Sequence, residues 1–340
     1  MSLSQLGNGA YIHRIPASSP RQVFIRGGIQ LRRLPALSIG SRALVHSVTG
    51  SVHSVYRQAC NVELNDGALV TLLGREPGHL PHGIRCVLPE PEDFQVWLRP
   101  GQAVAADESL LRIPEAGMAI DLSSAADWHC GLDGCAIDQD AEASARAMHA
   151  ARLVLQQQAP QGGFAPLLLR DVVAGSSLEQ AMRRRLSEAL PALSRAGLSF
   201  DCAAAAQALA QLAGLGPGLT PSGDDFIVGY LAALHARCPR EARLRSFLEG
   251  LIAPVTRLAA AANAISRQFM LNALAGEFSE SLAQVVLAIA GRDQLWLQET
   301  AARLVRVGHS SGADSLVGLL FGLRPSLLVA DASASRLAAA

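Results

Sequence analysis

The chain contains no lysine; all 29 of its basic residues are arginine. It therefore has no phosphate-loop lysine, Schiff-base amine or lysine general base, which excludes Walker-type nucleotidases and pyridoxal enzymes. No run of 18 or more uncharged apolar residues occurs, although half the residues are hydrophobic. A soluble globular protein with no membrane partner is the expectation. The opening MSLSQLGNGAYIHRIPASSP lacks the basic and apolar segments of a secretory signal, so a cytoplasmic location is expected. The six cysteines, Cys60, Cys86, Cys130, Cys135, Cys202 and Cys238, form no CxxC pair, which points to reduced thiols rather than disulfides or a zinc knuckle. Charge balances at 29 basic against 29 acidic residues, which argues against nucleic acid and anionic lipid as partners.

With 340 residues the chain has room for about two domains. From about Gln22 to Leu122, short β-branched runs alternate with turn residues: RALVHSV, GSVHSVYR, NVEL, ALVTLL, GIRCVL, FQVWL and MAIDL. Asn65-Asp66-Gly67 lies between two of these runs as a hairpin signal, because Asp-Gly tolerates the positive φ of a tight turn. Beyond the changeover around residues 127–140 the period becomes that of a helix. Alanine- and leucine-rich segments such as AEASARAMHAARLVLQQQ, REARLRSFLEGLI and VTRLAAAANAISRQFMLNALAG follow, with PQGGFAP (160–166) as a loop among them. The expected fold is α+β, with an antiparallel β-rich domain (1–135) followed by an all-α helical domain (136–340).

The segment GLGPGLTPSGDD (214–225) runs directly into the apolar FIVGYLAAL, and it has a twin. Ser222-Gly223-Asp224-Asp225 through Gly229 superimposes on Ser311-Gly312-Ala313-Asp314 through Gly318 as a shared S-G-x-D-x-x-V-G-x-L. Ser222 with Asp225, and Ser311 with Asp314, read as variant capping boxes. Gly229 and Gly318 fall mid-helix, where glycine costs up to ~1 kcal/mol against alanine, so something approaches those helices closely. The natural candidate is the other helix, an arrangement that would bring the two N-termini together.

Helix N-termini attract anions, and a small anionic substrate between them is the expected ligand. Gly216, Gly218, Gly223 and Gly312 would cradle it, and Thr220, Ser222, Ser310, Ser311 and Asp314 would complete the wall. Asp224 and Asp225 would contact a metal or a substrate amine, His309 would handle a proton, and Arg267 would clamp a carboxylate or phosphate. Magnesium is the possible cofactor. Two further histidine clusters were weighed as metal sites. They are His46 with His53, from the repeated VHSV, and His129 with Cys130 and Cys135, in WHCGLDGC, whose spacing matches no standard zinc site.

The blocks GLGPGLTPSGDDFIVGYLAAL, AISRQFMLNALAGEFSESL and VGHSSGADSLVGLLFGL resemble the AllH-like family, and VYRQACNVELNDGALVTLLG with LPHGIRCVL is similar to its β-rich front half. The resemblance implies a subunit of an oxamate carbamoyltransferase of allantoin catabolism. That enzyme exchanges a carbamoyl group between carbamoyl phosphate and oxamate through oxalurate, and it needs other enzyme subunits. The family's Gly-Pro-x-Gly-Ile pattern is replaced here by Leu80-Pro81-His82-Gly83-Ile84, and the Ser-Thr-Arg-Thr phosphate loop of ordinary carbamoyltransferases is missing. Two other functional classes fit the same residues. One is a metal-dependent hydrolase of small amides or phosphate esters using Asp224, Asp225 and Asp314. The other is a non-catalytic anion-binding or assembly subunit, which would form part of an oligomer.

Overall fold

The computed structural model describes residues 22–24, 30–43, 47–76, 78–138, 142–169, 176–291 and 293–328. Its first part holds ten strands: β1 (Gln22–Phe24), β2 (Gln30–Gly40), β3 (Val48–Val55), β4 (Ala59–Leu64), β5 (Leu69–Leu73), β6 (Gly83–Cys86), β7 (Ala103–Ala106), β8 (Leu110–Ile113), β9 (Met118–Asp121) and β10 (Ala126–Trp128). Pairing runs β2-β6-β5-β4-β3-β7-β8-β9, and β9 returns to β2, so eight strands close on themselves. Closure leaves the ring without a free edge. The two remaining strands attach to the long β2, where β1 pairs through Gln30–Arg32 and β10 through Ser38–Gly40.

Alternate side chains of these strands, including Val52, Cys60, Val62, Leu72, Ile84 and Ile120, fill the interior. The Asp-Gly hairpin forms as its sequence indicates: Gly67 has φ 82°, and the Asp66 side chain accepts from the Ala68 amide at 2.9 Å. The pairing is less uniform than an antiparallel reading suggests, because β5–β6, β2–β9 and β2–β10 all run parallel. FQVWL is not a strand. The Asp93 carboxylate accepts from the Gln95 amide at 2.7 Å and starts a one-turn helix, α1 (Phe94–Trp97). A local cap there outweighs an alternating pattern too short to pair.

The second part holds α2 (Glu142–Gln158), α3 (Phe164–Leu169), α4 (Ser177–Ser199), α5 (Cys202–Leu212), α6 (Ser222–Arg237), α7 (Ala242–Ala261), α8 (Ala264–Leu274), α9 (Glu280–Gly291), α10 (Gln294–Val305) and α11 (Ser311–Leu323). The chain is therefore α+β, strand-rich and then helical, as expected. The segment 160–166 does not stay a loop throughout, since α3 begins inside it at Phe164. REARLRSFLEGLI and the first part of VTRLAAAANAISRQFMLNALAG form one helix across Pro254. α7 runs through that proline and ends before Asn263, whose side chain accepts from Ile265 and Ser266 amides and starts α8. Among the described residues no helix is long and apolar enough to cross a membrane.

α6 and α11 form the centre of this part and are buried on nearly every side, as helices without a polar face must be. They cross in backbone contact at the two mid-helix glycines. A Cβ on Gly229 would collide with the Ser315 carbonyl oxygen, and one on Gly318 with that of Phe226. The two parts dock through the β4–β5 hairpin and the 79–82 segment. The Leu69 amide donates to Gln268 Oε1 at 3.0 Å, Arg267 donates to the Gly67 carbonyl at 3.0 Å, and Asn272 Nδ2 meets His82 Nδ1 at 2.7 Å. Full burial pulls the His82 pKa down to about 3, so its ring stays neutral in that contact.

Gly229→Ala should cost about 3 kcal/mol in urea unfolding, since neither backbone can yield without separating the helices. Gly291→Ala, at a helix end with open space around it, should change stability by less than about 0.5 kcal/mol.

Candidate functional site

The crossing of α6 and α11 brings their N-termini together, and the surroundings of the two ends match residue for residue. A Cβ on Gly223 would strike the Leu212 carbonyl at the end of α5, and one on Gly312 would strike the Leu304 carbonyl near the end of α10. The Gly223 amide donates to Leu215 O at 2.9 Å and the Gly312 amide to Val307 O at 3.1 Å. Gly216 (φ 114°) packs on Ser222 as Gly308 (φ 64°) packs on Ser311, both in the left-handed region that only glycine adopts cheaply. One helix–loop–helix unit has thus been built twice and placed face to face.

The carboxyls do not close capping boxes on their own helices. The N-caps are Pro221 and Ser310, and neither makes a side-chain cap hydrogen bond. Instead, each acid meets hydroxyls of both units: Asp225 faces Ser311 of the other unit and Thr220 of its own, and Asp314 faces Ser222 of the other and Ser310 of its own. Contact at the glycines puts both first turns in one narrow seam, so that each acid has a hydroxyl of the partner helix beside it as well as one from its own unit. Thr220 Oγ1 and Ser311 Oγ are 2.7 Å apart across it.

Both acids are buried, Asp225 with 7% and Asp314 with 0% of its surface exposed. Burial, reinforced by the charge of Asp314, raises Asp225 well above the usual carboxylate range against the pull of the Ser311 and Thr220 hydroxyls. Asp314 is pushed up to about 7, chiefly by burial. Asp314 Oδ1 accepts from the Phe164 amide at 2.6 Å, while Asp314 Oδ2, Asp225 Oδ2 and Ser222 Oγ are buried with no hydrogen-bond partner among the described residues.

Asp225 lies on the wall of a cavity of about 490 Å³ between the strand-rich and helical parts. The helical side contributes Thr220, Ser311, Gly312 and Ser315 beside Asp225, together with Phe269 and Asn272 of α8. Asn61, Thr71 and His79 face them from the other part. Thr71 Oγ1 donates to Asn61 Oδ1 at 2.8 Å, and Asn61 Nδ2 donates to Ser54 Oγ at 3.0 Å. His79 stacks on Trp128 with ring centroids 5.1 Å apart, and its Nδ1 lies 2.8 Å from Glu280 Oε2. Mostly apolar, with a few convergent polar groups and acids of raised pKa, the cavity has the character of a small-molecule site.

Residues 212–323, which span both helix starts, match the family model described as oxamate carbamoyltransferase subunit AllH, and residues 35–127 match that of the AllH family N-terminal domain. The chain belongs to the AllH family. No curated protein and no solved structure matches it. The two AllH matches meet at the cavity, whose walls come from both.

Within this AllH chain, Thr220, Asp225, Ser311 and Gly312 line the cavity, and Ser222, Gly223, Ser310 and Asp314 sit in or against the seam behind it. The amides of Gly223 and Gly312 donate to loop carbonyls rather than into the cavity. Gly216 holds the loop on Ser222, and Gly218 is exposed with open space around it. Asp224 turns away and accepts from the Gly214 amide at 2.8 Å, stapling its own loop. His309 is exposed beside Gly162, and Arg267 joins α8 to the β4–β5 hairpin outside the cavity wall. No arginine is among the lining residues.

Among the described residues no three His, Cys, Asp or Glu side chains gather as metal ligands. His46 lies outside the described residues, His53 is exposed and bonded to Ser54, and Cys130 donates to the Gly276 carbonyl. The described cysteines are all free thiols. The sequence reading missed His79, Asn61, Asn272 and the Gly163–Phe164 contact with Asp314. The Gly162-Gly163 pair was the one available signal for that contact: Gly163 has φ 83°, and a Cβ there would sit 2.6 Å from Asp314 Oδ1.

A carboxyl whose pKa is raised by folding favours the protonated fold. Its contribution is whole below the unfolded pKa of about 4 and is lost as pH rises through about 7 for Asp314. Asp314→Asn keeps an acceptor for the Phe164 amide and cannot ionise. It should therefore gain on the wild type between about pH 5 and pH 8, by up to a few kcal/mol in urea unfolding. An equal difference from the wild type at both pH values would refute the buried-carboxyl account.

Proposed function

We propose that this chain carries a substrate site of an oxamate carbamoyltransferase, with the acceptor held in the cavity against Asp225 and carbamoyl phosphate supplied to the assembled enzyme. The family supports the reaction class, and one observation carries the placement: the buried Asp225 Oδ2, without a partner among the described residues, on the wall of the cavity between the two parts. Carbamoyl transfer forms a bond between the acceptor nitrogen and the carbamoyl carbon, breaks the bond from that carbon to the phosphate oxygen, and releases a proton from nitrogen. An amide nitrogen is a poor nucleophile, so the step needs a group able to take that proton near neutral pH. The Asp225–Asp314 pair supplies such a group: burial raises both acids and holds Asp314 at about 7, so near neutral pH the pair has an ionised member that can take the proton. Other subunits of the enzyme complete the reaction.

The test is carbamoyl transfer in the enzyme reconstituted with its partner subunits. Asp225→Ala in this chain should lower kcat/KM by about 100-fold or more while the complex still assembles. Unchanged turnover in that variant would remove the substrate site from this cavity.

A further inference from the structure

The doubled unit contains an internal template for what Asp225 binds. α6 and α11 match at Gly229 and Gly318, at Gly223 and Gly312, and at Gly216 and Gly308, so Asp225 and Asp314 occupy equivalent positions in one pseudo-symmetric seam. Their surroundings differ in one respect. On the Asp314 side the chain itself fills the half-site: the first turn of α3 enters, the Phe164 amide donates to Asp314 Oδ1 at 2.6 Å, and Gly163 supplies the close approach a side chain would block. On the Asp225 side none of the described residues places a backbone amide there. The cavity occupies that position, and Asp225 Oδ2 is left buried and without a partner among them.

We infer that Asp225 Oδ2 is the specificity-determining acceptor for an N–H of the bound ligand, so that a primary amide end is held against the helix starts as the Phe164 amide is held on Asp314. This rests on the reading of the cavity as a substrate site and adds the orientation of the acceptor within it. Among the described residues no arginine or lysine lines the cavity, so a donor for Asp225 Oδ2 would come with the ligand. A second carboxylate placed there would add a negative charge beside the buried Asp225–Asp314 pair, with no cation among the lining residues to balance it, and would be rejected.

Oxamate and oxalate make the comparison, since they have nearly the same shape and differ in an amide against a carboxylate. Thermal shift and calorimetric titration of the full chain should show oxamate binding at least about tenfold more tightly than oxalate. Asp225→Asn, which can offer N–H groups of its own, should narrow that preference to about threefold or less. Equal binding of the two ligands by the wild type, or an undiminished preference in Asp225→Asn, overturns the inference and leaves the cavity as a binding site. Binding of neither ligand to the folded wild type overturns both the inference and the placement of the substrate site. The wild-type comparison decides the matter alone should Asp225→Asn fail to fold.

Discussion

The backbone contact between α6 and α11 is the constraint on which the rest of this molecule depends. Two helices approach this closely only where side chains are removed at the crossing, and Gly229 and Gly318 remove them on both sides. Each glycine gives up some helix propensity. What is gained is the meeting of two helix starts, and with it the seam that holds four hydroxyls and two acids. The same crossing turns α6 and α11 into a core buried on nearly all sides, around which the other helices pack.

That seam is a costly piece of structure. Buried carboxyls without a cationic partner have their pKa raised, and packing around them, rather than ion pairing, keeps them in place. Real proteins carry such locally unfavourable groups where chemistry needs them, and compensate through the surrounding core. Here the compensation is visible in the aromatic packing of Phe226 with Phe164, Tyr230 and Phe321 directly beneath the two acids.

The parts of this fold that could be read from sequence were those governed by local chemistry or by repetition. The Asp66-Gly67 turn carries its own conformational demand, and the S-G-x-D-x-x-V-G-x-L unit declared itself by occurring twice. Its two mid-helix glycines even foretold the crossing. What the acids do there was not readable, because a serine and an acid three residues apart spell a capping box unless a second helix start brings its hydroxyls to the same acid. Asp224 looked like the surplus functional acid for the same reason, and only the path of its loop shows it bonded to the Gly214 amide. His79 and Asn61 come from strands and loops far away in the chain, and nothing in their local sequence connects them to residue 225. The short FQVWL run misled because Asp93 acts on a single turn, beneath the length at which periodicity discriminates.

The two copies of the helix–loop–helix unit differ most in the span between the packing glycine and the serine: residues 217–221 in the first, residues 309–310 in the second. The longer span brings Leu219 and Thr220 to the cavity rim, while the shorter leaves only His309 and Ser310 before the helix begins. An arrangement of two equal halves would offer two equal acids, and neither would have a distinct task. Three added residues are enough to break that equality, leaving one aspartate facing the open space and the other turned toward its own chain. A change in the length of that one loop would therefore act first on the cavity rim and leave the glycine crossing of α6 and α11 as it is.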